Sequence, residues 1–156
     1  MLAEAVVQHL KEPKKPLKSL ETKYENNWQE KSLENLENDY WREPTYDSNL
    51  VKTCHSLRKK PIKDFEIEDL RIMIGQNIGL KFLIPVALDK LRDNILAEGD
   101  YYEGDLLKAV LTSETEFWNT EPELTKDLEA IILDKEERLK EQAPELLKSL
   151  AQWKKK

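Results

Sequence analysis

Residues 65–96 read FEIEDLRIMIGQNIGLKFLIPVALDKLRDNIL, the most apolar part of the chain. Apolar side chains recur there at helical spacing and leave almost no polar face, so the segment belongs at the centre of a core. The spacing predicts one helix over about 67–76 and a second over about 78–94, the latter kinked at Pro85. Leu70, Ile74, Leu83 and Leu88 are the predicted core positions. The intervening GQNIG lacks the G-x-x-x-x-G-K-[ST] form and no strand precedes it, so it is not read as a phosphate loop. Gly75 or Asn77 is expected to end the first helix, and Gly79 to let the second pack closely.

The rest of the chain is read around that centre. Only four glycines occur in 156 residues, and 36% of residues are charged, which suits helices with wide solvated faces. No β-alternation persists beyond a few residues. The predicted fold class is therefore all-α, a single compact multi-helix domain of about seven to nine helices, with an N-terminal helical extension over 1–31 and the domain proper over 32–156. In that extension Leu2, Val6, Val7 and Leu10 share one stripe, which stops at EPKKP, and Leu17, Leu20, Tyr24 and Trp28 share another. Ser32 is expected to cap a short helix with Leu33, Leu36 and Tyr40 inward, and Asp47 to cap a helix burying Leu50, Val51, Cys54 and Leu57. Ser113 with Glu116, and Thr120 with Glu123, have capping-box spacing. One long helix is expected through Leu124, Leu128, Ile131, Ile132 and Leu139, and a last one opens at Pro144.

Little in the sequence carries catalytic chemistry. Cys54 is the only cysteine, so no intrachain disulfide forms, which fits a reducing compartment. His9 and His55 are the only histidines. His55 follows Cys54 directly, and neighbours on a helix do not face each other, so the pair is read as structural. One cysteine and two distant histidines do not make a zinc site, and EGDYYEGD lacks the D-x-D-x-D-G spacing of a calcium loop. No catalytic residue, metal or cofactor is expected. RKKPIK at Arg58 is read as a solvated helix end, where cations suit the dipole. The start of the chain lacks the basic n-region of a signal peptide, and no apolar run is long enough to span a bilayer; the expected location is cytoplasmic, away from membrane.

The acidity is local. From residue 96 to 123 there are eight acids against one base, Lys108, so that segment carries −7 of a net charge of −6 and the remainder carries +1. Such a field repels nucleic acid and attracts a cationic protein. Within ILAEGDYYEGDLLKAVL, at residues 95–111, the acids alternate with glycines and two tyrosines. Ionised surface acids beside aromatics have the composition of a protein-binding face. The candidate binding residues are Glu98, Asp100, Tyr101, Tyr102, Glu103 and Asp105, with Trp41 and Tyr46 in the second aromatic and acidic stretch, NDYWREPTYD. Trp118 is a further aromatic near this face. The plainer alternative is that Asp105 caps the helix after it and one of the tyrosines packs inward. An adaptor for another partner and, less favoured, an acidic-site hydrolase remain as alternatives.

Three long strings, DYW.EP.YDS at Asp39, DLRIMIGQNIG at Asp69 and AEGD.Y.GDLL at Ala97, carry a resemblance that runs from about residue 32 to 111. Over that span the chain resembles the immunity proteins of bacterial contact-dependent growth inhibition (CDI) systems. The resemblance implies a cytoplasmic, non-enzymatic protein that binds the cognate CDI toxin domain and neutralises it, protecting the producing cell. Many such toxins are nucleases, so the implied partner is a basic nuclease domain. Recognition residues differ between cognate pairs, and the resemblance therefore assigns none here.

Overall fold

The computed structural model describes residues 26–45 and 47–155. The helices expected over the first 25 residues lie outside that set, as does Tyr46. Among the described residues there are nine α-helices and two short 3-10 helices, with β-pairing confined to two isolated bridges. The all-α fold class is the one expected. The chain divides into two compact units, Met1–Phe65 and Glu66–Lys156.

In the first unit, α1 spans Leu33–Glu37 and α2 spans Asn49–Leu57, with 3-10 turns at Trp28–Glu30 and Ile62–Asp64. Ser32 caps α1 as expected, its hydroxyl accepting from the Asn35 N–H at 3.3 Å. Asn38 takes a left-handed conformation, φ 51°, and ends the helix there. The stripe therefore never reaches Tyr40, which was expected inward but is 58% exposed, bonded to Asn35 Nδ2 at 2.8 Å. The expected cap at Asp47 is also one residue early. Ser48 caps α2 by accepting from the Val51 N–H, while Asp47 pairs with Lys52. Leu50 then falls in the first turn and stays partly exposed, whereas Cys54 and Leu57 are buried. Burial pushes the Cys54 thiol up to about 11, so it stays protonated at neutral pH.

Arg58 overturns the reading of RKKPIK as a solvated end. Its side chain is 1% exposed. The guanidinium pairs with Glu37, donates to the Asp39 carbonyl at 2.5 Å and lies 4.4 Å from the centroid of the Trp41 ring. Its backbone carbonyl accepts from the Glu34 N–H, and Ile62 N–H reaches the Lys31 carbonyl, tying the start of α1 to the chain after α2. A planar, permanently charged fork suits this site because it satisfies a carboxylate, a carbonyl and a ring face together.

In the second unit, α3 spans Ile67–Gly75 and α4 spans Leu80–Asp93, close to the predicted bounds. Asp69 accepts from the Glu66 N–H at 2.9 Å, one half of a capping box at the start of α3. Asn77 and Gly79 have positive φ, so GQNIG turns the chain between the helices, and α4 runs on through Pro85. α5 (Asp105–Leu111) packs on α3, α4 and the last helix; α6 is Thr115–Thr120, α7 Pro122–Asp134, α8 Glu136–Gln142 and α9 Leu146–Lys154. Leu70, Ile74, Leu83 and Leu88 are all buried, as predicted.

Three expectations fail here. The long helix breaks at Lys135 into α7 and α8, with no glycine or proline to mark the break. Ser113 does not cap; its hydroxyl donates to the Val110 carbonyl and accepts from Trp118 Nε1 at 2.9 Å. Thr120 turns its hydroxyl back onto the Phe117 carbonyl, and Glu121 precedes Pro122, the first residue of α7.

Leu83→Ala and Ile74→Ala should each cost about 2–5 kcal/mol in chemical unfolding. Leu133→Ala, at a position 72% exposed, should stay within about 0.5 kcal/mol. A surface-like loss at both core positions would remove α3 and α4 from the core. Arg58→Met should cost about 3 kcal/mol, because it removes a buried ion pair with Glu37 and the donor to the Asp39 carbonyl. Arg58→Lys should recover less than half, since an ammonium does not reproduce the fork. Full recovery by lysine would show that only the charge matters.

Candidate binding loop

The loop between α4 and α5 starts from buried residues. Ile95, Leu96 and Ala97 are each 5% exposed or less, and Leu96 N–H is accepted by Asn94 Oδ1 at 3.1 Å. The chain then surfaces at Glu98 and returns at Glu103, the two facing each other in an antiparallel bridge. Gly104 closes the turn by donating to the Leu96 carbonyl at 3.1 Å. Its φ is 92°, and an added Cβ would lie 2.7 Å from Leu146 Cδ1. The backbone conformation favours glycine at that position, and a side chain there would also push Leu146 aside.

Asp105 organises this loop from beneath. It is the first residue of α5 and 3% exposed. One carboxylate oxygen accepts from Gly99 N–H at 2.6 Å, and the other from Tyr101 N–H at 3.1 Å and Tyr102 N–H at 3.4 Å. The loop's outer side is held by α3. Glu68 accepts from Asp100 N–H at 2.9 Å and takes two bonds of 2.6 Å from Arg71. The Arg71 guanidinium lies 3.8 Å from Asp105 and 4.3 Å from the centroid of the Tyr101 ring. The Arg71 bond holds the Glu68 carboxyl below its ordinary value of 4.5; burial opposes it, and the Asp100 N–H adds to the lowering. Arg71 is shifted up in turn, chiefly by Glu68.

The six predicted residues of this stretch thus come together in one ordered loop, but not as equals. Glu98, Asp100, Tyr101, Tyr102 and Glu103 are exposed, Tyr101 by 71%. Asp105 lies under them, with its oxygens already engaged. Neither tyrosine packs inward. Trp118 does not join the face: it is buried, edge-on to Phe117 and to Trp153 at centroid distances of 5.3 and 5.5 Å. Trp41 belongs to the first unit, where it is half-buried against the Arg58 guanidinium. His55 is buried, its Nε2 3.3 Å from the Trp41 carbonyl oxygen. Among the described residues, no group of three or more His, Cys, Asp or Glu side chains is placed to hold a metal ion, and no helix is long and apolar enough to cross a membrane.

The residues missed in the sequence are Glu68 and Arg71. Their signal was the E-x-x-R spacing on a helix, which pairs them on one face. Nothing in it pointed to a loop some 30 residues downstream.

Glu68's depressed value gives a signed pH dependence. A carboxyl with a lowered folded pKa stabilises the fold above its unfolded value, and that contribution is lost as pH falls through the folded one. Stability should therefore drop below about pH 4.5 more steeply in the parent protein than in Glu68→Gln. Parallel acid limbs in thermal melts of the two proteins would show that Glu68 contributes nothing to acid sensitivity.

Over residues 35–128 the chain matches the family described as CDI immunity proteins. The matched span includes Trp41, both central helices and the whole acidic loop. Comparison with curated proteins and with solved structures gave no match.

Proposed function

The chain belongs to the family of CDI immunity proteins, and from that premise we propose how it neutralises its toxin. It binds the cognate toxin domain in the cytoplasm and blocks it by occupancy, with no catalysis of its own. The contact is made by the exposed face of residues 98–103, with Trp41 and Tyr46 as a lesser second patch. The partner surface is cationic, as the phosphate-binding cleft of a nuclease must be.

The observation that carries this reading is the pairing of Glu98 with Glu103. Like charges directly opposite in an antiparallel pair destabilise it. Here they sit beside the exposed Asp100 and Tyr101. The fold gains nothing visible from them, and such local conflicts concentrate at functional sites. A cationic partner relieves the repulsion, and the tyrosines supply contact area.

The test is binding to the cognate toxin domain, purified in an inactive form, with each variant checked for folding. Tyr101→Ala should weaken binding by about 2 kcal/mol or more, as expected of an aromatic anchor. Glu98→Gln and Glu103→Gln should each act mainly on the association rate and flatten its salt dependence. If Asp100→Ala, Tyr101→Ala and Glu103→Ala all keep parent affinity while folded, the loop is not the interface.

A further inference from the structure

We infer that Glu68 and Arg71, which lie on α3 outside the loop, are positioning residues for the binding face: they hold residues 99–101 in the binding form before a partner arrives. The inference rests on the reading of the loop as the toxin-binding surface.

Both side chains are only 18% exposed, so they lie beneath the face. Yet each acts on a residue that is presented. Glu68 fixes the backbone at Asp100 through its N–H, and Arg71 seats the ring of Tyr101. A side chain 71% exposed, as Tyr101 is, ordinarily hops between rotamers within nanoseconds. Stacking on a guanidinium that is itself clamped by two bonds to Glu68 restricts that motion. Ordering completed in the free protein need not be paid on association, which raises affinity about threefold to tenfold for one such side chain.

Gly99 shows how closely the loop rides on the helix. An added Cβ would collide with the Glu68 carboxylate and lie 3.3 Å from the Glu68 Cα and 3.2 Å from Asp105. The carboxylate would have to move, and with it the acceptor for the Asp100 N–H. Gly99→Ala is therefore a way to loosen the tie while leaving every charge in place.

The experiment has two arms on the full chain. In the free protein, Gly99→Ala should speed amide exchange at Asp100, whose N–H Glu68 accepts, at least about tenfold relative to the core amides of α4. Unchanged exchange overturns the tie without reference to any toxin. In the second arm, Arg71→Met, Tyr101→Ala and the double variant are titrated against the inactive cognate toxin domain. Arg71→Met should weaken binding about tenfold through faster dissociation when Tyr101 is present, and less than about twofold when it is absent. Equal losses in both backgrounds, or none in either, overturn a positioning role. Arg71→Lys, which keeps the charge without the planar fork, should show an intermediate loss and serves if the methionine variant does not fold; parent affinity in that variant also overturns the role. Parent affinity in Tyr101→Ala alone overturns the positioning role of Arg71; parent affinity in Tyr101→Ala, Asp100→Ala and Glu103→Ala together overturns the reading of the loop as interface, and the inference with it. That failure is distinguishable, because the exchange result on the free protein is unaffected.

Discussion

The acidic loop depends on one buried carboxylate. Asp105 accepts three loop N–H groups while almost fully removed from water. A carboxylate in that position costs several kcal/mol unless its oxygens are satisfied, and backbone N–H donors satisfy it through charge-assisted bonds. Loop and ion therefore need each other. The ion is also bound to the core, since the helix it begins buries Leu106, Leu107, Val110 and Leu111. Folding of the core thus sets the height and orientation of the loop, and a surface feature takes on the rigidity of α5.

The first unit solves a similar problem with the opposite charge. There a buried cation, Arg58, gathers Glu37, the Asp39 carbonyl and the Trp41 ring. Both aromatic and acidic stretches singled out by composition are organised by a buried ion of one sign that holds backbone and side chains from below. In each case the ion comes from a regular element or its edge, where the backbone is already fixed. The exposed residues need only present themselves, so they can vary without disturbing the fold that carries them.

What could be read from the sequence follows from this division. α3 and α4 were legible because their apolar spacing is set by burial alone, and Leu70, Ile74, Leu83 and Leu88 lie where the spacing put them. The composition of the loop was legible too, and its exposed acids and tyrosines were read as such. Hidden were the long-range polar contacts: Glu68 to Asp100, Arg71 to Tyr101, and Arg58 to Glu37. A charged residue on a helix is usually solvated, and only tertiary geometry shows which one is buried. Helix ends misled for a related reason. Ser113 and Thr120 have capping spacing, but their hydroxyls back-bond to nearby carbonyls, a competing local option open to any Ser or Thr. Trp118 was misplaced because an aromatic beside an acidic stretch reads the same whether it faces water or, as here, Trp153.

Charge at the loop is layered. The inner acid, Asp105, is compensated by N–H dipoles and by Arg71 at 3.8 Å. Glu68 is compensated by the same guanidinium. The outer acids, Glu98, Asp100 and Glu103, have no such cation within the loop's own scaffold, and two of them face each other. One arginine thus offsets one of the two inner carboxylates, backbone N–H groups satisfy the other, and the exposed layer adds its own negative field. A loop with one layer of acids would have to choose between holding its shape and projecting charge, because a cation near enough to order it would also cancel its field. Two layers separate those tasks. This is the physical reason that a loop of this composition can be rigid and strongly acidic together, which is what recognition of a cationic protein surface at a defined orientation requires.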